Sequence, residues 1–85
     1  MPAVIRIGDT GSHGGEVVSG SGNTTVNGRG VARVGDTYLC PLHGPNQIIT
    51  GSPDVFVNGM AVARVGDQTA CGAILQGGSP NVEVN

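Results

Sequence analysis

Short apolar segments, separated by turns rich in glycine and asparagine, run through the whole chain. Residues 54–57 are mostly apolar and lead into Asn58-Gly59, a dipeptide typical of a two-residue hairpin turn, and residues 61–65 form a matching return segment. The same order recurs at residues 24–34, around Asn27-Gly28. Glycine and proline interrupt every window long enough for a helix. The pattern therefore predicts an all-β protein built from short hairpins.

The two ends of the chain provide the halves of a third hairpin. Residues 81–85 resemble an outgoing strand that stops at the asparagine of the turn, and residues 3–7 resemble a return strand with no partner before it. Pairing of these segments would close the three hairpins into a ring and cover two strand edges that otherwise favour aggregation. We therefore expect three hairpin repeats around a pseudo-three-fold axis, with the N- and C-terminal strands paired.

An Arg-x-Gly-Asp motif occurs in all three repeats, and each copy is followed by a residue that can bind a metal ion. The motifs span residues 6–9, 33–36 and 64–67. Four positions after each aspartate the chain has His13, Cys40 and Cys71. Each repeat also carries a Gly-Ser step, with an asparagine seven residues after its glycine. Because equivalent positions of a repeat lie together around its axis, we expect the three donors to converge.

The middle repeat carries a four-residue insertion that provides a fourth donor. His43 lies within the inserted region, residues 41–46, three positions after Cys40. This Cys-x-x-His spacing allows one loop to chelate one ion, and four nitrogen and sulfur donors form a closed tetrahedral zinc site. The sequence therefore predicts one structural Zn²⁺ per chain at the end of the domain where these loops converge, bound by His13, Cys40, His43 and Cys71, with iron as an alternative metal.

Size and composition favour such a metal cross-link. The chain has 85 residues with one Tyr, one Phe and no Trp, so a single domain over residues 1–85 has little apolar core. Glycine accounts for 16 residues, which raises the entropy cost of folding. The free energy of metal binding would offset that cost, because it adds directly to the free energy of folding.

Charge and hydropathy limit the partners and the compartment. The net charge is −2, and the four cationic side chains are all arginines, which leaves no basic surface for nucleic acid. The N-terminus has no secretory signal pattern, and no apolar run is long enough to span a membrane. We therefore expect synthesis in the cytoplasm and no stable membrane anchoring. In a reducing compartment, two cysteines favour metal binding over a disulfide.

Other interpretations of the same residues remain open at this stage. A Cys40–Cys71 disulfide would suit a disulfide-stabilised extracellular β-domain. Cys71 alone could be a small buried apolar residue. A zinc hydrolase needs an open coordination position, which four available donors argue against. Ser12 and Ser19 lie near His13 in the sequence, but no third group orients such a nucleophile–base pair. We therefore expect a protein that is not an enzyme.

The combination of motifs resembles the PAAR-repeat proteins over residues 4–85. The segments that carry the resemblance are residues 8–15, residues 51–52 with 55–59, residues 61–67 and Cys71-Gly72. The Pro-Ala-Ala-Arg signature itself is altered to Gly-Val-Ala-Arg at residues 30–33 and to Ala-Val-Ala-Arg at residues 61–64. The family is associated with zinc held by three histidines and one cysteine, whereas the matching positions here are two of each.

The resemblance implies a mechanical function. PAAR-repeat proteins form the cone-shaped tips of type VI secretion spikes, and relatives occur on contractile phage tails, so the resemblance implies a small cone with the metal at its apex. It implies one tip per trimeric VgrG-type spike protein, with the broad base on the spike and the apex outward. Such a tip, monomeric on its own, sharpens the spike, aids penetration of the target cell envelope, and attaches secreted effectors. Export at the spike tip into a target cell or the medium follows, and we expect no fused effector domain. A structural zinc-binding module for another protein partner is the alternative.

Overall fold

The chain folds into β-strands and turns without any helix. A computed structural model describes residues 1–85. The seven strands are β1 (Glu16–Val17), β2 (Thr25–Val26), β3 (Arg29–Gly30), β4 (Thr37–Cys40), β5 (Gly44–Gln47), β6 (Phe56–Val57) and β7 (Met60–Ala61). They pair antiparallel as a β1-β4-β5 sheet and two hairpins, β2-β3 and β6-β7. The predicted all-β class is confirmed, and no helix is present that could cross a membrane.

The two predicted Asn-Gly turns form the hairpins β2-β3 and β6-β7. Asn27 and Gly28 have φ angles of 55° and 77°, and Asn58 and Gly59 have φ angles of 54° and 78°. Positive φ at both central residues is the requirement of a type I′ turn, whose twist matches that of the flanking strands. Asparagine and glycine are the residues that tolerate this conformation at least cost.

The two ends of the chain pair as predicted and complete the third hairpin. Ala3 forms an antiparallel bridge with Glu83. The Val4 N–H donates to the Val82 carbonyl at 3.0 Å, and the Val84 N–H donates to the Pro2 carbonyl at 3.0 Å. This closing pair occupies the position that β2-β3 and β6-β7 occupy in the other two repeats.

A closed triangle of backbone hydrogen bonds surrounds the pseudo-three-fold axis. The Ile5 N–H donates to the Ala63 carbonyl at 3.0 Å, the Ala63 N–H to the Ala32 carbonyl at 2.9 Å, and the Ala32 N–H to the Ile5 carbonyl at 2.9 Å. All three residues are fully buried. Because each repeat donates to one neighbour and accepts from the other, the triangle ties the three return strands together in a ring.

This triangle separates two apolar clusters. Side chains alternate across an extended strand, so Val4, Val31 and Val62 point away from the side on which their neighbours Ile5, Ala32 and Ala63 lie. On the Ile5 side is the main core, with Val17, Tyr38, Cys40, Ile48, Ala73 and Leu75. On the other side is an open cavity of about 120 Å³, the valine basin, lined by Val4, Thr24, Val26, Val31, Val55, Val57, Val62, Val82 and Val84.

The recurrent Gly-Ser steps bind each repeat to its return strand. The N–H groups of Ser21, Ser52 and Ser79 donate to the carbonyls of Val31, Val62 and Val4, at 2.9, 2.8 and 2.8 Å respectively. A Cβ atom at Gly20 or Gly51 would lie only 2.9 Å from the Val31 or Val62 carbonyl oxygen. Glycine precedes each serine in these repeats because any side chain would prevent this close approach.

Each Arg-x-Gly-Asp motif forms an ion pair within its own repeat. The distances are 2.8 Å for Arg6–Asp9 and for Arg33–Asp36, and 3.0 Å for Arg64–Asp67. Each aspartate also accepts the backbone N–H of its arginine, at 2.7 to 2.8 Å. The glycines between them have φ of 93° to 98°, which reverses the chain so that the two side chains meet.

The four-residue insertion forms a hairpin that the sequence did not predict. Residues 37–40 pair with residues 44–47, and Cys40 lies opposite Gly44. The segment Gly44-Pro45-Asn46 has the composition of a loop, so nothing local marks it as a strand. It pairs because β4 is already held on its other edge by β1 and offers a free edge to the returning chain.

Candidate metal centre

The four predicted donors come from three separate segments and meet at one place. Cys40 ends strand β4, and His43 lies in the turn that leads to β5. His13 lies in the turn before β1, and Cys71 lies in the loop of residues 70–72. Their ligand atoms all lie within 4.8 Å of one another. The structure therefore brings together every residue of the predicted set.

Within this group both histidines present the same ring nitrogen. Cys40 Sγ lies 3.5 Å from His13 Nδ1 and 3.4 Å from His43 Nδ1. Cys71 Sγ lies 3.7 Å from His13 Nδ1. The two imidazole rings are tilted by 44°, with their centroids 5.3 Å apart. Each histidine therefore directs Nδ1 toward the sulfur atoms.

These distances fit tetrahedral coordination of a single ion. Zinc lies about 2.3 Å from a thiolate sulfur and about 2.05 Å from an imidazole nitrogen. At the tetrahedral angle, these bond lengths separate sulfur from nitrogen by about 3.6 Å. The three measured separations of 3.4 to 3.7 Å lie on both sides of this value. These three separations thus match the spacing that one bound ion requires, and the group is able to hold a metal ion.

The four donor residues differ in how deeply they are buried. His43 is exposed, His13 and Cys71 are half-buried, and Cys40 is only 2% exposed. Cys40 also belongs to the main core, with Cys71 packed against it. The site therefore joins the apolar interior to the surface, and a bound ion would connect three segments where few apolar side chains are present.

The Cys71 sulfur lies in surroundings that favour its thiolate. Thr69 Oγ1 lies 3.2 Å from Cys71 Sγ, and the Cys71 N–H donates to Asn46 Oδ1 at 3.1 Å. Burial is the largest single influence and acts to raise the pKa of Cys71. Hydrogen bonds with Thr69, the Ala73 backbone, Cys40 and His13 outweigh it and lower the pKa to about 6. Because metals bind thiolates, this environment favours coordination near neutral pH.

A buried tyrosine supports the loop that carries His13. Tyr38 is fully buried in the core, and its hydroxyl accepts the Gly15 N–H at 3.1 Å. Burial raises the pKa of Tyr38, so the hydroxyl stays neutral. A Cβ atom at Gly11 would lie 2.5 Å from the Tyr38 hydroxyl, so the loop passes directly over the ring. Sequence patterns did not indicate this role of Tyr38, although it is the only tyrosine and precedes Cys40 by two residues.

The two serines near His13 have structural partners. Ser12 Oγ accepts the Ile74 N–H at 2.9 Å. Ser19 Oγ donates to Asp36 Oδ1 at 3.1 Å and accepts the Thr37 N–H at 2.8 Å. Both hydroxyls therefore tie loops together, and neither is hydrogen-bonded to an imidazole as a nucleophile–base pair requires.

Comparison with protein-family models gives one assignment for nearly the whole chain. The model described as PAAR motif matches residues 7–84. That match includes all four donors and all of the hairpins except the strand formed by the first residues. Comparison with curated proteins gives no match.

Proposed function

The chain belongs to the PAAR motif family, and on this premise we propose that it is the tip of a type VI secretion spike or of a related contractile injection machine. In this role one chain binds the end of a trimeric VgrG-type spike protein and sharpens it. Members of the family are structural spike-tip proteins, and we infer that this chain acts mechanically rather than as an enzyme.

The observation that carries the proposal is the symmetry of the valine basin. Each repeat contributes three lining residues, and eight of the nine are valines. A trimer presents each of its own side chains three times around its axis, so a basin with three nearly equal sectors matches it. Apolar surface that leaves water on binding contributes about 25 cal/mol per Å² before the entropy cost of association is subtracted. The basin lies on the opposite side of the backbone triangle from the two cysteines, so a spike seated on the basin would leave the metal centre at the free end.

The metal centre would stiffen the outward end. Two thiolates and two imidazoles form the donor set that suits tetrahedral Zn²⁺, and we propose one structural zinc ion per chain, bound by His13, Cys40, His43 and Cys71. When bound, the ion would cross-link the loops at the outward end, where the tip would meet mechanical force. The donors themselves use all four positions, which fits a structural role.

The remaining parts of the proposal concern location and cargo. We infer synthesis in the cytoplasm as a monomer, followed by export on the spike into a target cell or the medium. Exposed apolar side chains outside the basin, Leu42 at 71% and Phe56 at 58%, offer attachment points for separate effectors. That residues 1–85 form one domain without a fused effector stays a prediction.

Two adjacent residues of strand β6 allow a matched test of spike binding. Val57 lines the basin, whereas Phe56 is exposed and does not line it. Mixed with a trimeric VgrG-type protein, the native chain should form a complex of one tip per trimer, measured by light scattering after size-exclusion chromatography. Val57→Asp should abolish this complex, because a charge would be buried in an apolar interface. Phe56→Asp should leave it intact.

The opposite result would reverse the proposed orientation. If Phe56→Asp prevents binding and Val57→Asp does not, the spike contacts the exposed surface around Phe56 rather than the basin. If neither native nor variant chain binds a trimeric spike protein but the chain contains zinc, the chain is a zinc-binding module for another partner.

A further inference from the structure

The metal centre contains two sulfur donors, which makes a second type of cross-link available at the same place. Cys40 Sγ and Cys71 Sγ belong to the group of donor atoms that all lie within 4.8 Å of one another, and both thiols are free. A disulfide holds its two sulfurs about 2.05 Å apart, so the sulfurs need to approach by less than about 3 Å. A site with one cysteine has no such option.

We propose that Cys40 and Cys71 form an intramolecular disulfide when the chain meets a peroxide, so that a covalent bond replaces the metal ion as the cross-link of this site. The proposal rests on the metal centre described above, and it does not depend on spike binding.

The two cysteines differ in a way that suits this reaction. Cys40 is buried at 2% exposure and held in strand β4 opposite Gly44. Cys71 is half-buried and lies in a loop, so an oxidant in solvent reaches it more easily. Cys71 belongs to no strand, so sheet pairing constrains its backbone less than that of Cys40.

The chemistry balances with hydrogen peroxide as the oxidant. The Cys71 sulfur attacks one peroxide oxygen, so that an S–O bond forms, the O–O bond breaks, and the hydroxide released takes a proton to become water. The Cys40 sulfur then attacks the Cys71 sulfur, so that the S–S bond forms, the S–O bond breaks, and a second hydroxide leaves and is protonated. The two sulfurs together lose two electrons, which reduce one peroxide to two waters.

The consequence is a site that is cross-linked under both reducing and oxidising conditions. After oxidation, only His13 and His43 remain as donors, which is too few to retain a structural ion. The disulfide would nevertheless connect the second repeat to the third across residues 40–71. Reducing compartments keep thiols available for metal, whereas oxidising surroundings favour disulfides.

The test is peroxide treatment of the zinc-loaded chain, followed by tryptic peptide mapping. All four cationic residues are arginines, so cleavage after Arg33 and Arg64 places Cys40 in residues 34–64 and Cys71 in residues 65–85. We expect these two peptides to be linked in monomeric protein, one zinc to be released per disulfide, and dithiothreitol to reverse the link. The oxidised, metal-free chain should unfold about 10 °C or more above the reduced, metal-free chain.

The matched control is Cys71→His, which keeps four donors but removes one thiol. This variant should bind zinc, retain it in peroxide and give no linked peptides. If it does not fold, peptide mapping of the native chain still decides. Links between separate chains, or cysteines that end as sulfinic acids without an S–S bond, would overturn the proposal. The zinc content measured before oxidation tests the proposed metal centre separately. Neither outcome bears on the proposal of spike binding.

Discussion

Ser79 Oγ donates a hydrogen bond of 2.6 Å to Asn27 Oδ1, and this bond joins the last repeat to the first. The same oxygen of Asn27 accepts from Arg6 Nη1 at 3.0 Å. In the same way, Ser21 Oγ donates a hydrogen bond of 2.8 Å to Asn58 Oδ1. In two of the three Gly-Ser steps, the serine is thus bonded to the turn asparagine of a neighbouring repeat.

Ser79→Ala should therefore be more destabilising than Ser52→Ala. Both serines accept two backbone N–H groups, but Ser52 has no asparagine partner. Loss of the N–H acceptor should cost each variant about 1–3 kcal/mol, and Ser79→Ala should lose about 1 kcal/mol more with its bond to Asn27. Urea unfolding of both variants gives the comparison. Equal losses would mean that the bond between repeats contributes nothing.

Removal of the metal should strongly destabilise the chain. Cys71→Ser and His13→Ala should each lower the free energy of unfolding by several kcal/mol, because a closed zinc site contributes directly to folding. Thermal unfolding with and without a chelator measures this effect. With chelator present, the native chain and both variants should have similar midpoints. A native chain that melts at the same temperature with and without chelator would contradict the proposed cross-link.

Two glycines near the metal centre should not tolerate alanine. A Cβ atom at Gly15 would collide with the Leu39 carbonyl oxygen, and one at Gly11 would lie 2.5 Å from the Tyr38 hydroxyl. We expect each substitution to cost about 2 kcal/mol or more, because these neighbours are backbone or fully buried. Gly22→Ala is the control, since nothing lies within 4 Å of that position. Equal free energies of unfolding for all three variants would show that this loop is not packed as closely as described.

Acid should weaken the Arg64–Asp67 pair in a predictable pH range. Burial, the largest influence, acts to raise the pKa of Asp67, but hydrogen bonds from Arg64 and Thr50 outweigh it and lower the pKa below its usual value. The stabilisation is thus present above the unfolded pKa of about 3.9 and is lost as the pH falls through the lower folded pKa. Asp67→Asn should be less stable than the native chain at pH 5.

The difference between Asp67→Asn and the native chain should shrink as the pH falls from 5 to 2. The measurement is the free energy of unfolding in the presence of a chelator, so that protonation of metal ligands does not contribute. A difference that stays constant across this range would show that Asp67 is not the group that titrates.

Local patterns were sufficient to predict much of this protein. The Asn27-Gly28 and Asn58-Gly59 turns depend on residues that tolerate positive φ, so the hairpins follow from adjacent positions in the chain. The repeat offset that aligns His13, Cys40 and Cys71 follows from symmetry, because equivalent positions converge. The closure of the ring followed from an outgoing strand and a return strand that each lacked a partner. That the four donors bind metal stays a prediction.

The tertiary structure decided the features that depend on contacts between distant segments. The β4-β5 hairpin forms at a free sheet edge, although its composition favours a loop. Tyr38 supports the His13 loop through a hydroxyl that meets Gly15 only after folding. The valine basin exists because the backbone triangle turns one set of alternating side chains away from the core. Sequence patterns report what adjacent residues prefer, whereas packing across the whole chain determines which surfaces remain open and which donors face one another.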